Sequence, residues 1–127
     1  MDEYDVKDFV YDAVEAATTG LPIYKDRSKD GEKNNHIVIN ALPWSENDDF
    51  INQGYVNVNI FTKQNENGMI DEETAKTTIR AVKAQLKLID TVAGQYRNAE
   101  IIWSESLGET KEGFDCKNVK ILIKTDK

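Results

Sequence analysis

The sequence predicts an α+β domain in which two helices pack on one face of a mostly antiparallel sheet, in the order α-β-β-β-α-β-β. Residues 54–63 alternate apolar and polar side chains with the period of two that marks a half-buried strand. Residues 2–19 and 71–94 repeat apolar side chains every three to four positions, the period of an amphipathic helix. Two further strand patterns, 99–106 and 118–125, follow the second helix. Helices beside an antiparallel sheet cover one of its faces.

Composition narrows the class of protein. A chain of 127 residues predicts a single domain over 1–127. Its net charge of −7 argues against wrapping nucleic acid, which requires clustered cations, and no sequence-specific nucleic-acid binding is expected. The single cysteine excludes an intrachain disulfide. Apolar runs are too short to span a membrane and no signal peptide opens the chain, so a cytoplasmic protein is expected.

The first helix has one apolar and one charged face. The expected inner stripe is Val6, Phe9, Val10, Ala13 and Ala17. The side chains expected to face solvent are Asp5, Lys7, Asp8, Asp12 and Glu15. Gly20 is predicted to end this helix as its C′ residue.

Two strands follow the first helix. Residues 22–25 form a short strand, which Pro22 places at an edge of the sheet. A charged loop, 26–35, leads to a strand over 36–42 in which Ile37, Ile39 and Ala41 share one face. The chain is then expected to leave the sheet as a loop.

The central strand and the second helix supply most of the core. Val56, Val58 and Ile60 are predicted to face the helices. The opposite face carries Tyr55, Asn57, Asn59 and Phe61. Asp71 is the expected N-cap of the second helix. The apolar stripe of that helix is Ala75, Ile79, Val82, Leu86, Ile89 and Ala93.

Two polar connections, 43–53 and 107–117, are expected to be mobile in the free protein and ordered in an assembly. The second of them is interpreted as a mobile hairpin arm, because it contains Gly108 and Gly113.

No catalytic, cofactor or metal site is predicted. His36 is the only histidine, and with Cys116 as the only cysteine it cannot complete a standard zinc site or a triad. Both are interpreted as structural. The segment 26–31 has the opening spacing of a calcium loop, but its twelfth position is Ile37 instead of glutamate.

A second acidic group, Glu46, Asp48 and Asp49, is considered as a hard-cation site. Adjacent acidic side chains point in different directions and seldom converge on one ion. A solvated loop is therefore preferred for this segment as well, and the protein is not expected to be an enzyme.

Protein-interface residues are predicted instead. Trp44 follows Pro43 in the expected loop, where it either anchors a partner or folds back with Phe50 to seal the end of the sheet. The face with Tyr55, Asn57, Asn59 and Phe61 is left without an intrachain cover if both helices lie on the other side. Mixed aromatic and amide surfaces of this kind are common at oligomer interfaces.

Three stretches resemble the tail terminator and tail completion (head–tail joining) proteins of long-tailed bacteriophages. They are HIVINALP at 36–43, GYVNVNI at 54–60 and NGMID at 67–71, just before the second helix. Together with the order of elements, the likeness extends from Val6 to Thr125. It is carried by strand motifs and element order, and the family offers no catalytic residues to transfer.

The resemblance implies a virion tail protein that is assembled in the cytoplasm. Such proteins form a ring of about six copies on the end of the tail tube. The implied partners are other copies of the chain, the tail tube protein and the head–tail connector protein. The ring ends tail elongation and offers the head an attachment surface, and an acidic lumen would let DNA slide through it.

Two other interpretations remain open at this point. One is another head–tail joining or minor tail component on the same fold. The other is a small non-enzymatic protein-binding module that uses Trp44.

Overall fold

The computed structural model describes residues 2–45, 51–92 and 94–126. Its elements in chain order are α1 (Glu3–Glu15), β1 (Ile23–Lys25), β2 (His36–Ser45), β3 (Ile51–Lys63), α2 (Glu72–Leu86), β4 (Arg97–Lys111) and β5 (Phe114–Asp126). The five strands form one mixed sheet in the order β1-β2-β3-β5-β4. Only β1 and β2 pair in parallel, and the other three pairs are antiparallel. The predicted fold class and element order are confirmed.

The core lies between the two helices and one face of the sheet. Its fully or almost fully buried members are Val6, Phe9, Val10, Val14, Ile37, Ile39, Val56, Val58, Ile60, Val82, Leu86, Val119, Ile121 and Ile123. The strands β2, β3 and β5 each contribute alternate residues to this cluster, as the alternation in their sequences predicts. The inner faces predicted for the central strand and for the helix stripes are therefore confirmed for the described residues, while Ala93 lies outside them. Val14 is an additional core member that was not predicted.

Both helices are shorter than their apolar periodicity predicts. Asp2 caps α1 in a capping box with Asp5, but the helix ends at Glu15, and the chain turns before Gly20 with Thr18 at φ 50°. The C′ role predicted for Gly20 is therefore wrong. Asp71 caps α2 as predicted, and that helix ends at Leu86. Periodicity overestimates α2 because Ile89 still packs on the core from a turn.

Lys7 was predicted to face solvent and is instead buried. Its Nζ lies 2.9 and 3.1 Å from the two carboxylate oxygens of Asp26. The loop after β1 brings Asp26 next to the helix. Lys7 is therefore buried in an ion pair, whereas Asp26 remains exposed. Local periodicity contains no information about this contact.

The strand β2 continues where a loop was predicted. Pro43, Trp44 and Ser45 belong to it, and Trp44 pairs with Gly54 of β3. The register shifts between Ala41 and Trp44, and this irregularity accommodates the proline, which has no N–H for the ladder. The rest of the predicted 43–53 loop includes 46–50, which lie outside the described residues.

The bounds predicted for the last two strands are also wrong, because most of 107–117 belongs to them. The strands β4 and β5 form one long hairpin that pairs from Arg97 with Thr125 down to Lys111 with Phe114. Gly113 adopts φ 82° in the turn, and its N–H donates to Glu109 Oε1 at 2.8 Å. The glycines permit the bulges and the turn and do not mark a loose segment.

We expect the amides of residues 114–118 to be strongly protected from hydrogen exchange in the free protein. This part of β5 is paired on both sides, by β3 and by β4, and Phe114 and Cys116 are buried. Exchange followed by peptide mass spectrometry would measure it, with the exposed turn at 65–68 as the fast-exchanging control. Equal rates in the two segments would mean that the hairpin is open in solution.

Candidate protein interface

The face of the sheet opposite the helices, called the uncovered face below, is built from the alternate residues of β2, β3 and β5 together with Trp103 of β4. Its members on β2, β3 and β5 include Asn40, Tyr55, Asn57, Asn59, Phe61, Cys116, Asn118, Lys120 and Leu122. The two helices pack on the other side, as predicted. The uncovered face divides into one closed half and one open half.

The closed half is centred on His36, which is fully buried. Its ring stacks on Phe61 with centroids 4.8 Å apart and meets the edge of Phe114 at 5.4 Å. Nδ1 lies 2.8 Å from the carbonyl oxygen of Asn34, and Nε2 lies 2.8 Å from Ser28 Oγ. A carbonyl only accepts, so Nδ1 carries the proton and Nε2 accepts from the Ser28 hydroxyl. Desolvation holds the pKa of His36 below its usual value.

The charged loop 26–35 folds across this closed half. Besides Ser28 and Asn34, it contributes Glu32, whose carboxylate accepts a hydrogen bond from the Tyr24 hydroxyl. That bond raises the pKa of Tyr24 and lowers the pKa of Glu32, because it stabilises the phenol and the carboxylate together. The loop therefore covers one end of a face that the sequence left entirely open.

A line of asparagine side chains crosses the middle of the uncovered face. Asn59 donates to Asn40 Oδ1 at 3.0 Å, and Asn118 donates to Asn59 at 2.8 Å and to Asn57 at 3.2 Å. The indole N–H of Trp103 closes the line with a bond to Asn118 Oδ1 at 3.2 Å. The network joins β2, β3, β5 and β4 and holds the exposed indole ring in place.

The open half is an aromatic clamp around a lysine. Lys120 Nζ lies 4.6 Å from the ring centroid of Tyr55 and 4.5 Å from that of Trp103. The two aromatic residues remain 38% and 47% exposed. Rings fixed by cation–π contacts lose little conformational entropy on binding, and such aromatic residues are enriched among interface hot spots. The clamp is the strongest candidate docking element on this face.

The two outer strands differ in how they end the sheet. One edge is the three-residue β1, and the other is the fifteen-residue β4, which exposes Ile102 and Leu107. Three register shifts interrupt the pairing of β4 with β5. Shifts of this kind twist an edge and discourage unspecific strand addition.

The six predicted interface residues fall into different surroundings. Tyr55 lies in the open clamp, while Asn57 and Asn59 lie in the amide network. Phe61 contacts His36 in the closed half. Trp44 packs against the core and over Gly54, which is the position expected if it seals the end of the sheet. Phe50 lies outside the described residues.

Sequence reasoning missed Trp103, Asn118 and Lys120 as members of the site. The alternation of β5 did place Lys120 opposite the core, so a signal was present. What was lacking was the register that brings β4 beside β5 and puts Trp103 next to Lys120. Pairing between distant strands fixes that register, and a single segment does not record it.

His36 and Cys116 lie in one row of the sheet with Phe61 between them. Two strand spacings separate their backbones by about 10 Å, so no proton passes directly between them. Burial raises the pKa of the Cys116 thiol, which favours its neutral form. The pair is therefore placed as two separate packing groups.

The acidic calcium-like segment is engaged elsewhere. Asp26 binds Lys7, and Ser28 binds His36, so two of the three candidate ligands have protein partners. In residues 2–45, 51–92 and 94–126, no group of three or more His, Cys, Asp or Glu side chains is arranged to hold a metal ion. Glu46, Asp48 and Asp49 are outside these ranges. In the same ranges, neither helix has the length and apolar character of a membrane span.

Comparison with known proteins supports the fold. No family model and no curated protein sequence matches this chain. A chain of the virion of a native gene transfer agent (GTA) particle is similar in structure, with a TM-score of 0.62 and 13% identity over 93% of this chain and 92% of that one. A second solved protein, whose name describes no function, has a TM-score of 0.61 and 13% identity over 90% of this chain and 85% of that one. At this identity the likeness concerns the fold alone.

Proposed function

We propose that this protein is a non-enzymatic structural component of a bacteriophage, prophage or phage-derived particle. The observation that carries this proposal is the near full-length likeness to a chain of a gene transfer agent virion. Coverage above nine-tenths in both directions means that the two chains share a whole architecture and not one common motif. Fold alone does not decide function. The sequence resemblance to tail terminator proteins is a separate observation that points the same way.

Within the particle, we assign the protein to the end of the tail tube. There it would form a ring with other copies, stop tube growth and offer a surface to the head–tail connector. The aromatic clamp on the open half of the uncovered face supports this assignment, because an exposed Tyr55 and Trp103 held rigidly by Lys120 suit a protein partner. We assign the tube protein or a neighbouring copy to this face.

A second place in the particle is also supported. The similar chain is identified only as part of a virion, so another head–tail joining or minor tail position agrees with the same observation. The two placements differ in their deletion phenotype. Loss of a terminator gives tails of uncontrolled length, whereas loss of a joining protein gives tails of normal length that lack heads.

The clamp variant Tyr55→Ser with Trp103→Ser is expected to abolish normal particle assembly while the protein still folds. Both side chains are partly exposed, and their truncation removes the proposed docking rings. It also removes the hydrogen bond from Trp103 to Asn118, at a cost of about 1–3 kcal/mol, so circular dichroism would verify that the variant folds. Particles produced with this variant would be counted and their tails measured by electron microscopy.

The matched control is Met69→Ser with Leu88→Ser, which also removes two exposed apolar side chains but lies outside the clamp. Normal tails and heads in the control, with defects in the clamp variant, support the assignment. Normal particles from a folded clamp variant exclude the clamp as an interface. Normal particles after complete deletion of the gene exclude the structural role itself.

A further inference from the structure

The two helices carry opposite charge on their outer surfaces. On α1 the exposed acidic stripe is Asp5, Asp8, Asp12 and Glu15. On α2 and its C-cap the basic stripe is Lys76, Arg80, Lys83 and Lys87. Within each stripe the residues recur three or four positions apart, so they share one helix face. At 1.5 Å per residue both stripes are about 15–17 Å long.

The two helices make different contacts with the sheet. The helix α1 is tied to the β1 edge by the ion pairs of Lys7 with Asp26 and of Asp8 with Lys25. The helix α2 is tied to the β4 edge, where Lys83 Nζ donates to Ser104 Oγ at 2.7 Å. Arg97 of β4 lies over the Phe9 ring of α1, 4.7 Å from its centroid, and lines one hollow with Asp5, Asp8 and Asp12. The acidic stripe of α1 and the basic stripe of α2 therefore have different surroundings, although they do not form two opposite flanks.

Part of this charge is compensated within the chain, since Lys25 pairs with Asp8 on α1 and Glu73 pairs with Lys76 on α2. In the described ranges, no ion pair engages Asp12 or Glu15 on α1, and none engages Arg80 or Lys87 on α2. No ion pair there joins α1 to α2, although the helices pack side by side. These four side chains are exposed, which leaves their charges available to another molecule.

We infer that the acidic stripe of α1 in one copy docks on the basic stripe of α2 in a second copy. The contact is head-to-tail, since it joins two different surfaces, and contacts of this kind generate rings or filaments. Charge complementarity selects a second copy of this chain as the occupant, because equal lengths and opposite signs occur on the same molecule. This inference rests on the proposed function only in assuming that copies associate.

Exposed ion pairs contribute little affinity each, and their main effect is on orientation and encounter rate. The helix contact therefore fixes how neighbouring copies are oriented, while the sheet supplies apolar contact. It also explains how a chain of net charge −7 associates with itself, since the cations are concentrated where the contact is made.

Charge reversal on either stripe is expected to weaken self-association about tenfold or more. The acid-stripe variant is Asp12→Lys with Glu15→Lys, and the base-stripe variant is Arg80→Glu with Lys87→Glu. Each places like charges at the contact. Sedimentation velocity on the full chain, from micromolar to about millimolar concentration at low ionic strength, measures the association.

Two combinations restore complementarity. The four-substitution variant exchanges the stripes and keeps the wild-type net charge. In an equimolar mixture of the two reversed variants, copies of the two variants can alternate, so that an acidic stripe meets a basic stripe at every contact. Both are expected to associate like the wild type.

The control Asp30→Lys with Glu66→Lys changes net charge as much as the acid-stripe variant but lies off both stripes, and it is expected to retain association. Circular dichroism would verify that every variant folds.

The inference is overturned if the wild type stays monomeric throughout this range, if folded reversed variants associate as the wild type does, or if neither combination restores association. These outcomes are separate from those of the particle experiment. If the four-substitution variant associates but the protein is absent from particles, the helix contact is supported and the proposed function is rejected. If the protein is present in particles but the four-substitution variant does not associate, the proposed function is supported and the helix contact is rejected.

Discussion

Alanine at position 54 is expected to lower the free energy of unfolding by about 1–3 kcal/mol, although it adds only one methyl group. A Cβ at Gly54 would lie 2.6 Å from Trp44 Cε3, 3.1 Å from the carbonyl oxygen of Pro43 and 3.3 Å from Trp44 Cα. Two of these atoms belong to the backbone of β2 and cannot move alone. The Trp44 ring is packed against the core, so its displacement would also disturb the neighbouring side chains.

A double-mutant cycle with Trp44→Leu tests this mechanism by urea denaturation. Removal of the ring relieves the 2.6 Å contact, so Gly54→Ala is expected to cost less in the Trp44→Leu background than in the wild type. The comparison variant is Gly20→Ala, at φ 76° with no atom near the added methyl. It costs stability through backbone strain, with no coupling to Trp44. An equal cost of Gly54→Ala in both backgrounds would reject the steric account.

The free energy of unfolding is also expected to fall as the pH is lowered from about 6.5 toward 5. Burial lowers the pKa of His36 in the folded protein. The unfolded chain therefore binds a proton at His36 over a range of pH in which the folded chain does not. This stabilising contribution is fully present above the usual histidine pKa and is lost as the pH falls below it. The slope from one such group reaches at most about 1.4 kcal/mol per pH unit.

The neighbouring charges set the lower end of this pH range. Lys111 lowers the pKa of His36 further, whereas Glu32 and the carbonyl of Asn34 raise it. Desolvation is the largest of these effects, so the net direction is downward. The pKa values of Asp2 and Glu32 are lowered from the ordinary carboxylate range, and these groups titrate in more acidic solution.

The variant His36→Phe isolates this contribution, because the chain has no other histidine. Phenylalanine can stack between Phe61 and Phe114 but does not titrate. The variant is expected to be less stable at pH 7 by about 1–3 kcal/mol, since it leaves the Asn34 carbonyl without its donor. Its stability should be nearly constant from pH 6.5 to 5. Urea midpoints at several pH values give the comparison, and an unchanged pH slope in the variant would show that another group is responsible.

Local patterns in the sequence were sufficient for the elements and for their inner faces. The alternation of Val56, Val58 and Ile60 and the stripe through Val82 and Leu86 identified core positions, because burial on one face imposes a fixed period on each segment. The N-cap Asp71 was also predictable, since a capping side chain acts within one helical turn. Helix ends were less so, because apolar residues such as Ile89 pack on the core from turns as well.

Contacts between distant segments were not available from such patterns. Lys7 was assigned to the surface because its partner Asp26 lies beyond the helix, and 107–117 was assigned to a loop because its glycines suggested a turn. In the folded chain those glycines accommodate bulges inside a continuous hairpin.

In the candidate interface, too, some features follow from local sequence patterns and others depend on contacts between distant segments. The sequence by itself determined that one side of the sheet carries Tyr55 and the asparagines while the helices cover the other, because side-chain direction follows from position along a strand. Only the tertiary structure decided that the loop 26–35 closes one half over His36, and that Trp103 and Lys120 complete a clamp in the other. Strand register and loop placement depend on the packing of the whole chain, and no single segment encodes them.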